Sequence, residues 1–439
     1  MVESSETRAD IRAGRRTTAQ YETAFADAAP RFTRTQALVE AERCLYCYDA
    51  PCMQACPTGI DVPSFIKRIA DDNLRGAART ILEANPLGGT CARACPTEVL
   101  CEQVCVRTTQ QGKPVEIGRL QRYAVDAVMD KPVTALFTRA APTGRHVAVV
   151  GAGPAGLACA FTLARLGHDV VIHDAQAAGG GLNEYGLASY KMAGGFAQAE
   201  LEWLMQIGGI SLQLNWRLEQ AAQLQALSES FDAVYLAIGL GRTPQLGIPG
   251  ENLAGVRDAV AFIAELRQCD DLAALAIGRR VVVIGGGMTA VDAAVQSKLL
   301  GADDVHMVYR RGPEAMSASP EEREWAQKNG VTLHYGLAPA EITGSEHVTG
   351  VRFVRADGSA ETFAADMVLK AIGQKLDESV LADSGLALKG GRVVADDDGR
   401  TSVAKLFVGG DCRAGGRDLT VEAVEDGKRA AHAIHVELI

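Results

Sequence analysis

Residues 146–156 read His146-Val147-Ala148-Val149-Val150-Gly151-Ala152-Gly153-Pro154-Ala155-Gly156. A short apolar run closes on Gly-x-Gly-x-x-Gly, residues 157–166 are apolar at helical spacing, and residues 169–173 read as a second short strand. Strand, tight turn, helix, strand is the opening of a dinucleotide-binding unit. Gly151 permits the turn, Gly153 lets the backbone approach a pyrophosphate, and Gly156 allows the helix to pack closely on the strand. An acidic residue about 20 positions on should accept hydrogen bonds from a ribose diol, and Asp174 closes the second strand. The glycines alone are weak evidence, since a turn can carry them without a ligand; with both strands, the helix and Asp174 the signal is strong. It does not separate FAD from NAD.

The same order recurs at residues 280–284, Gly285-Gly286-Gly287, 290–300 and 304–309. Here Ala290 replaces the third glycine, a small residue that the motif tolerates. The second strand ends in Tyr309-Arg310-Arg311, where an NAD site usually places a carboxylate and an NADP site an arginine for the 2'-phosphate. Taken alone that favours NADPH, although exposed strand-end arginines also occur without any ligand. The fold class expected is α/β, with two Rossmann-like dinucleotide-binding domains.

Ahead of them the chain is of another kind. Eight of the 11 cysteines lie between Cys44 and Cys105. The first group is Cys44-x2-Cys47-x4-Cys52-x3-Cys56 followed by Pro57; the second is Cys91-x3-Cys95-Pro96, then Cys101-x3-Cys105. Iron-sulfur clusters take four thiolates each, commonly three from one run and a fourth from elsewhere, and the last Cys-Pro of a run serves the neighbouring cluster. Two 4Fe-4S clusters fit that pattern. Structural zinc is the plainer alternative, but it favours two pairs with a longer gap and often histidine, and no histidine lies between Cys44 and Cys105. A redox disulfide at Cys44 and Cys47 is a third reading, though such motifs sit beside a βαβ unit.

Composition bounds the rest. A chain of 439 residues suggests roughly three domains. Lys plus Arg (44) against Asp plus Glu (54) leave a formal charge of -10, which argues against nucleic acid or an anionic membrane as partner. With 47% hydrophobic and 22% charged residues there is material for sizeable cores. No stretch approaches about 18 uninterrupted apolar residues, and residues 1–16 are polar, without the apolar core of a secretory signal. A soluble cytoplasmic protein is expected.

Near the C-terminus, Leu406-Phe407-Val408-Gly409-Gly410-Asp411 resembles the second FAD signature of the two-dinucleotide flavoprotein reductases, where the Asp holds the ribityl chain or pyrophosphate. A helix cap is the plain alternative for Asp411. The resemblance makes the first unit the FAD site, and it implies that the helix over residues 420–434 directs its positive end at the flavin ring. The domain order expected is a helical domain with two 4Fe-4S clusters at 1–135, with helices over 62–73 and 76–84. A linker at 130–144 follows, then the first segment of an FAD-binding domain at 145–242, an inserted NAD(P)-binding domain at 243–373, and the second segment of the FAD-binding domain at 374–439. Ala237-Ile238-Gly239 and Ala371-Ile372-Gly373 mark the two crossings.

With these residues in view, the chain is similar to the flavin and iron-sulfur family that includes the small subunit of bacterial glutamate synthase and the N-terminal half of dihydropyrimidine dehydrogenase. The resemblance runs from about residue 35 to the end. In the dehydrogenase branch an unusual Gln is the fourth ligand of the second cluster, and Gln121 stands at that position; the glutamate synthase type usually carries Glu. Residues 420–428 also look like the dehydrogenase branch, pointing to the electron-input subunit of its bacterial, NAD-dependent form. The resemblance assigns Cys44, Cys47, Cys52 and Cys105 to one cluster, and Cys56, Cys95, Cys101 and Gln121 to the other. Cys91 is left as a non-ligand.

For FAD the implied set is Gly151, Gly153, Pro154, Ala155, Gly156, Asp174, Gly180, Gly181, Leu182, Lys191, Gly410, Asp411 and Thr420, with Lys191 standing where the mammalian type has Arg. For the nicotinamide dinucleotide it is Gly286, Gly287, Met288, Thr289, Arg310, Arg311, Ala371, Ile372 and Gly373. Where NADPH-using members place a further arginine this chain has Ser317, which removes a charge-assisted contact and favours NADH. The implied activity is oxidoreductase: NADH gives a hydride to FAD, and electrons pass singly through the clusters. An FMN-containing catalytic partner subunit then reduces uracil or thymine to 5,6-dihydropyrimidines. This chain has no barrel-like repeat to house that second flavin, and no protein acid or base is required for the hydride step. The rivals are a glutamate synthase small subunit, a standalone NAD(P)H:ferredoxin-type reductase and a non-catalytic scaffold.

Overall fold

In the computed structural model, which describes residues 16–439, the run before the first glycine motif forms β1 (His146–Val150). It is followed by β2 (Asp169–His173), β3 (Ile210–Gln213) and β4 (Ala233–Leu236). The polar N-terminal stretch, residues 1–16, on which the expectation of no secretory signal rests, lies outside the described residues except for Arg16. The second motif is framed by β5 (Val256–Asp258), β6 (Arg280–Gly285), β7 (Asp304–Tyr309) and β8 (Thr332–Tyr335). Then come β9 (Ala338–Gly344), β10 (Val348–Val354), β11 (Ala360–Ala364) and β12 (Met367–Ala371). A small hairpin of β13 (Leu388–Lys389) and β14 (Arg392–Val393) precedes β15 (Leu406–Val408).

One five-stranded sheet has the order β15-β4-β1-β2-β3 and the other β5-β12-β6-β7-β8, and every pairing in both is parallel. In each the strand that leads into a glycine turn is central. A parallel sheet is covered on both faces, so its strands are continuously apolar; Val147, Val149, Val281 and Val283 are wholly buried. Strands β9 to β11 form a separate antiparallel sheet. β15 completes the first sheet after the second has been made, so the second unit is an insertion into the first.

The chain divides into two units. The flavin unit holds Ala29–Glu184, Gly194–Gly241 and Leu376–Ile439; the nicotinamide unit holds residues 16–28, Tyr185–Ala193 and Arg242–Lys375. Within the flavin unit the cysteine-bearing helices and the first Rossmann sheet share one hydrophobic core, in which Phe65, Ile81 and Leu120 join Val147, Phe161 and Trp203. Residues 130–144, which read as a linker, belong to that packing. Val133 and Phe137 are buried, and Trp203 Nε1 donates to Lys131 O at 2.8 Å.

Two further features differ from the sequence reading. The helix expected to reach residue 73 is Val62–Ala70, because Asp72 turns at φ 59° and the Asn73 carboxamide accepts from Gly76 N to cap the next helix, Leu74–Ala84. The helix Thr18–Ala24, expected within the helical domain, packs instead in the nicotinamide unit. There Tyr21 is buried and its hydroxyl donates to Leu300 O at 3.3 Å.

Candidate functional site

The glycine turn of the flavin unit is built by close backbone approach. Gly151 sits at φ 110°, donates to His173 O at 2.7 Å, and a side-chain carbon there would lie 2.2 Å from Ala237 O. At Gly156 such a carbon would lie 1.9 Å from Gly151 O, so the helix Pro154–Arg165 rests directly on the turn. Gly153 is open, with only Gly181 Cα at 3.9 Å. That cradle, which a larger side chain would fill, fits a pyrophosphate at the helix N-terminus.

Asp174 Oδ2 accepts from Ala152 N at 2.6 Å and Oδ1 from Gln176 N at 2.8 Å, which fixes the carboxylate against the turn. Gly180 and Gly181, at φ 122° and 55°, form a second glycine loop facing the first; Gly180 N donates to Ala152 O at 2.8 Å. Leu182 follows at the surface, 36% exposed. Gly410 lies against Ala155, and its N–H donates to Asp426 Oδ2 at 2.9 Å. Arg413 holds that carboxylate in turn. Burial, with Asp418 nearby and Arg392 opposing, pushes the Asp411 carboxyl up to about 6. Thr420 opens the C-terminal helix Thr420–Leu438 and bonds Asn183 Oδ1 at 3.3 Å. The helix crosses the Pro154–Arg165 helix so tightly that Gly427 has no room for a side chain. The structure thus brings Gly151–Gly156, Asp174, Gly180–Leu182, Gly410–Asp411 and Thr420 to one place. Asp426 and Asn183 escaped the sequence reading, since nothing local marks a helix residue that holds a distant loop.

His173, beside Asp174, places an imidazole at a buried position at the end of β2. It is 5% exposed, packed 4.8 Å from the Trp216 ring and 6.2 Å from Phe231, and neither ring nitrogen has a partner among the described residues. Burial lowers its pKa. The unfolded chain therefore takes up the proton first as pH falls below about 6.5, so stability present above that pH is lost on acidification. His173→Phe should raise stability by about 1–3 kcal/mol and flatten its pH dependence. Thermal melts at pH 8 and pH 5.5 check this, and an equal or lower midpoint at both would refute it.

In the nicotinamide unit the turn repeats. A side-chain carbon at Gly285 would lie 2.2 Å from Ala371 O, as one at Gly151 would from Ala237 O. Gly286 abuts the Tyr309 ring, and Gly287 is open except for Ser317 Oγ, 3.3 Å from that carbon position. Met288 and Thr289 begin the helix Met288–Leu300, and Ala290 is wholly buried. Ala318 N donates to Gly286 O at 3.1 Å, so the loop carrying Ser317 borders the turn. Arg310 and Arg311 are exposed, and the Arg311 guanidinium lies 5.3 Å from the Tyr309 ring centre. Ala371 ends β12, with Ile372 and Gly373 just beyond. Lys191 belongs to the nicotinamide unit, where its ammonium lies 2.8 Å from Asp292 and 2.7 Å from Glu322.

Cys44, Cys47, Cys52 and Cys105 line one cavity, walled by Val62, Ile66, Val115 and Ile117. Val115 N donates to Cys105 Sγ at 3.5 Å. Among the described residues no three Cys, His, Asp or Glu side chains form a group that would hold a single metal ion. Four thiols lining one cavity match the ligand number of a 4Fe-4S cluster. Burial raises the Cys44 thiol, and burial with Cys44 and Cys105 pushes Cys52 up to about 11, so loading a cluster must release protons.

The Cys95 thiol is raised by its hydrogen bond with the Cys91 thiol, by burial, and by Cys91, Cys101 and Cys56 nearby; Cys101 is raised by burial, Glu102 and Cys56. Cys56, Cys95 and Cys101 are therefore neighbours. Cys91 is buried with Leu100 and Val421. Gln121, on the helix Ile117–Asp126, is buried and donates from Nε2 to Gly88 O at 2.7 Å, at the start of the helix Gly88–Ala94 that leads to Cys95. Glu200 binds the same helix start, accepting from Gly89 N at 2.8 Å; burial pushes its carboxyl up to about 7.

Comparison with known proteins bears on both halves. Residues 145–427 match the family described as pyridine nucleotide-disulphide oxidoreductase, and residues 21–133 match dihydropyrimidine dehydrogenase domain II, 4Fe-4S cluster. The chain is 34% identical to the NAD-dependent dihydropyrimidine dehydrogenase subunit PreT of Salmonella typhimurium, covering 92% of this chain and 95% of that one. It is 33% identical to the glutamate synthase [NADPH] small chain of Escherichia coli K12, covering 92% of each. Among solved structures, T. acidophilum thioredoxin reductase superposes with a TM-score of 0.54 at 23% identity, covering 67% of this chain and 99% of that one, a likeness of fold. No helix among the described residues is long and apolar enough to cross a membrane.

Proposed function

The chain belongs to the pyridine nucleotide-disulphide oxidoreductase family, and from that premise we propose that it is the electron-input subunit of an NAD-dependent dihydropyrimidine dehydrogenase. In this reading NADH binds at Gly285–Gly287, FAD at Gly151–Gly156, and two 4Fe-4S clusters on the cysteines between Cys44 and Cys105. The clusters deliver electrons to an FMN-containing partner subunit that reduces uracil or thymine, reversibly, in the cytoplasm. The observation that carries it is the single core joining the thiol-lined cavity to the flavin loops, which holds both in one unit. The cofactors supply hydride acceptance followed by one-electron transfer.

The chain's own residues bind and orient. Gly153 leaves room for the pyrophosphate, Asp174 is aimed by Ala152 N and Gln176 N, and Asp426 holds the Gly409-Gly410-Asp411 loop against the helix. The apolar wall of the thiol cavity limits water, which together with the neutral Gln121 tunes cluster potential. Cys91, whose thiol is hydrogen-bonded to that of Cys95, is not assigned to a cluster in this reading.

Anaerobic purification with iron, sulfide and flavin analysis, followed by NADH titration with and without the FMN-bearing partner and uracil, tests the reading. About eight irons and one FAD per chain, bleaching by NADH, and pyrimidine reduction only with the partner are expected. Zinc in place of iron, or no bleaching, overturns it. Bleaching and electron delivery to a glutamate synthase large subunit, but not to pyrimidine, would assign the chain to its other relative. On coenzyme choice, Ser317→Arg should raise the NADPH-to-NADH ratio of kcat/KM by on the order of tenfold, because the loop borders the turn and an arginine adds a charge-assisted contact. An unchanged ratio in steady-state assays would remove Ser317 from the specificity site.

A further inference from the structure

We propose that Lys191 is a positioning residue of the nicotinamide dinucleotide site: it clasps the helices Met288–Leu300 and Pro320–Lys328 beside the Gly285-Gly286-Gly287 turn and offsets the carboxylates they carry there. This rests on the reading that the turn takes a nicotinamide dinucleotide.

The segment Tyr185–Ala193 belongs to the nicotinamide unit although the chain on either side of it belongs to the flavin unit. It is fastened along its length. Ser189 N and Oγ both donate to Gln296 Oε1, at 3.1 and 3.2 Å; Tyr190 O accepts from Ala28 N at 3.0 Å; Met192 O accepts from Arg267 Nη1 at 3.1 Å. At its centre Lys191 Nζ lies 2.8 Å from Asp292 Oδ1 and 2.7 Å from Glu322 Oε1, and Tyr190 donates its hydroxyl to the same Asp292 oxygen at 3.0 Å. The Asp292 side chain is only 3% exposed and those of Lys191 and Glu322 are 16% exposed, so the three charges have little water.

Both carboxylates belong to elements that frame the turn. Asp292 stands one turn inside the helix whose N-terminus would receive the pyrophosphate. Glu322 is in the first turn of the helix capped by Ser319, directly after the loop whose Ala318 N bonds Gly286 O. A helix N-terminus attracts phosphate through its unpaired N–H groups, and a buried, uncompensated carboxylate one turn away opposes that attraction. One lysine against two carboxylates leaves a net charge of one; without it the charge is two, in a place with little screening. Burial pulls the Lys191 pKa down, but the two carboxylates outweigh it and the ammonium stays charged.

The test is calorimetric titration of the flavin-loaded, cluster-loaded chain with NAD+, which binds oxidised enzyme without reaction. Lys191→Met should raise Kd on the order of tenfold while the flavin-to-chain ratio stays at the wild-type value. Lys191→Arg should stay near wild type. Asp292→Asn, which removes one negative charge and keeps the Lys191–Glu322 pair, should bind NAD+ as tightly or more tightly. The double variant Lys191→Met with Asp292→Asn has the wild-type net charge and should recover most of the loss. A purely structural clasp predicts the opposite for Asp292→Asn, namely weaker binding, and that result overturns the proposal even if Lys191→Met fails to fold. Unchanged Kd in Lys191→Met, or flavin loss with Kd unchanged, also overturns it. Failure of the wild-type chain to bind NAD+ would overturn the underlying reading, and the proposal with it.

Discussion

Gly156→Ala is expected to yield a chain with almost no flavin. The added carbon would sit 1.9 Å from Gly151 O and 3.1 Å from Val149 Cγ1, both in the central strand and its turn, with no flexible side chain to yield. The helix Pro154–Arg165 must lift away, which opens the cradle at Gly153 and loosens the crossing with the C-terminal helix, where Gly427 already touches Ala155 O. Overpacking of this kind costs about 1–3 kcal/mol in stability, and the loss of binding geometry comes in addition. The flavin-to-protein absorbance ratio after gel filtration measures it; a ratio equal to wild type would show that the turn does not hold the cofactor. The second unit supplies a control within the same chain. Its corresponding residue is Ala290, accommodated there with its side chain fully buried, so Ala290→Gly should leave flavin content intact.

Cys52→Ser should lower iron from about eight to about four atoms per chain and reduce electron delivery to the partner by more than about a hundredfold, since the chain of one-electron centres is broken. Cys52 lines the same cavity as Cys44, Cys47 and Cys105, and its thiol feels Cys44 and Cys105 directly. Retention of one flavin per chain is the control for folding. Iron analysis and low-temperature EPR of the dithionite-reduced protein read the outcome. Full iron with an unaltered spectrum would remove Cys52 from the cluster site, and loss of all eight irons would mean that the two sites assemble together. Because loading releases protons from thiols raised by burial, reconstitution should be slower at pH 6 than at pH 8.

Much of the architecture was legible because it depends on local order. An apolar run of five residues, a glycine turn and a helical period act within a few residues of one another, so both Rossmann units could be read from the chain, whereas the return of β15 to the first sheet was implied by the resemblance of residues 406–411 to a second FAD signature. The less legible regions are those in which a segment chooses among surfaces. Residues 130–144 have the composition of a linker, yet Val133 and Phe137 found a core made by helices before them and strands after them. The end of the helix at Ala70 depended on Asn73, whose capping bond competes with helix continuation and outweighed the apolar period.

The sequence by itself determined the class of fold, the positions of the two glycine turns and the density of thiols between Cys44 and Cys105, because each is set by residues close in the chain. Only the tertiary structure decided that the cysteine-bearing helices share a core with the flavin sheet, that Asp426 holds the Gly410 loop, and that Lys191 serves Asp292 and Glu322. Those contacts join residues far apart in sequence. Their geometry is set by how sheets and helices close on one another, and a buried charge takes whichever partner that closure brings within about 3 Å.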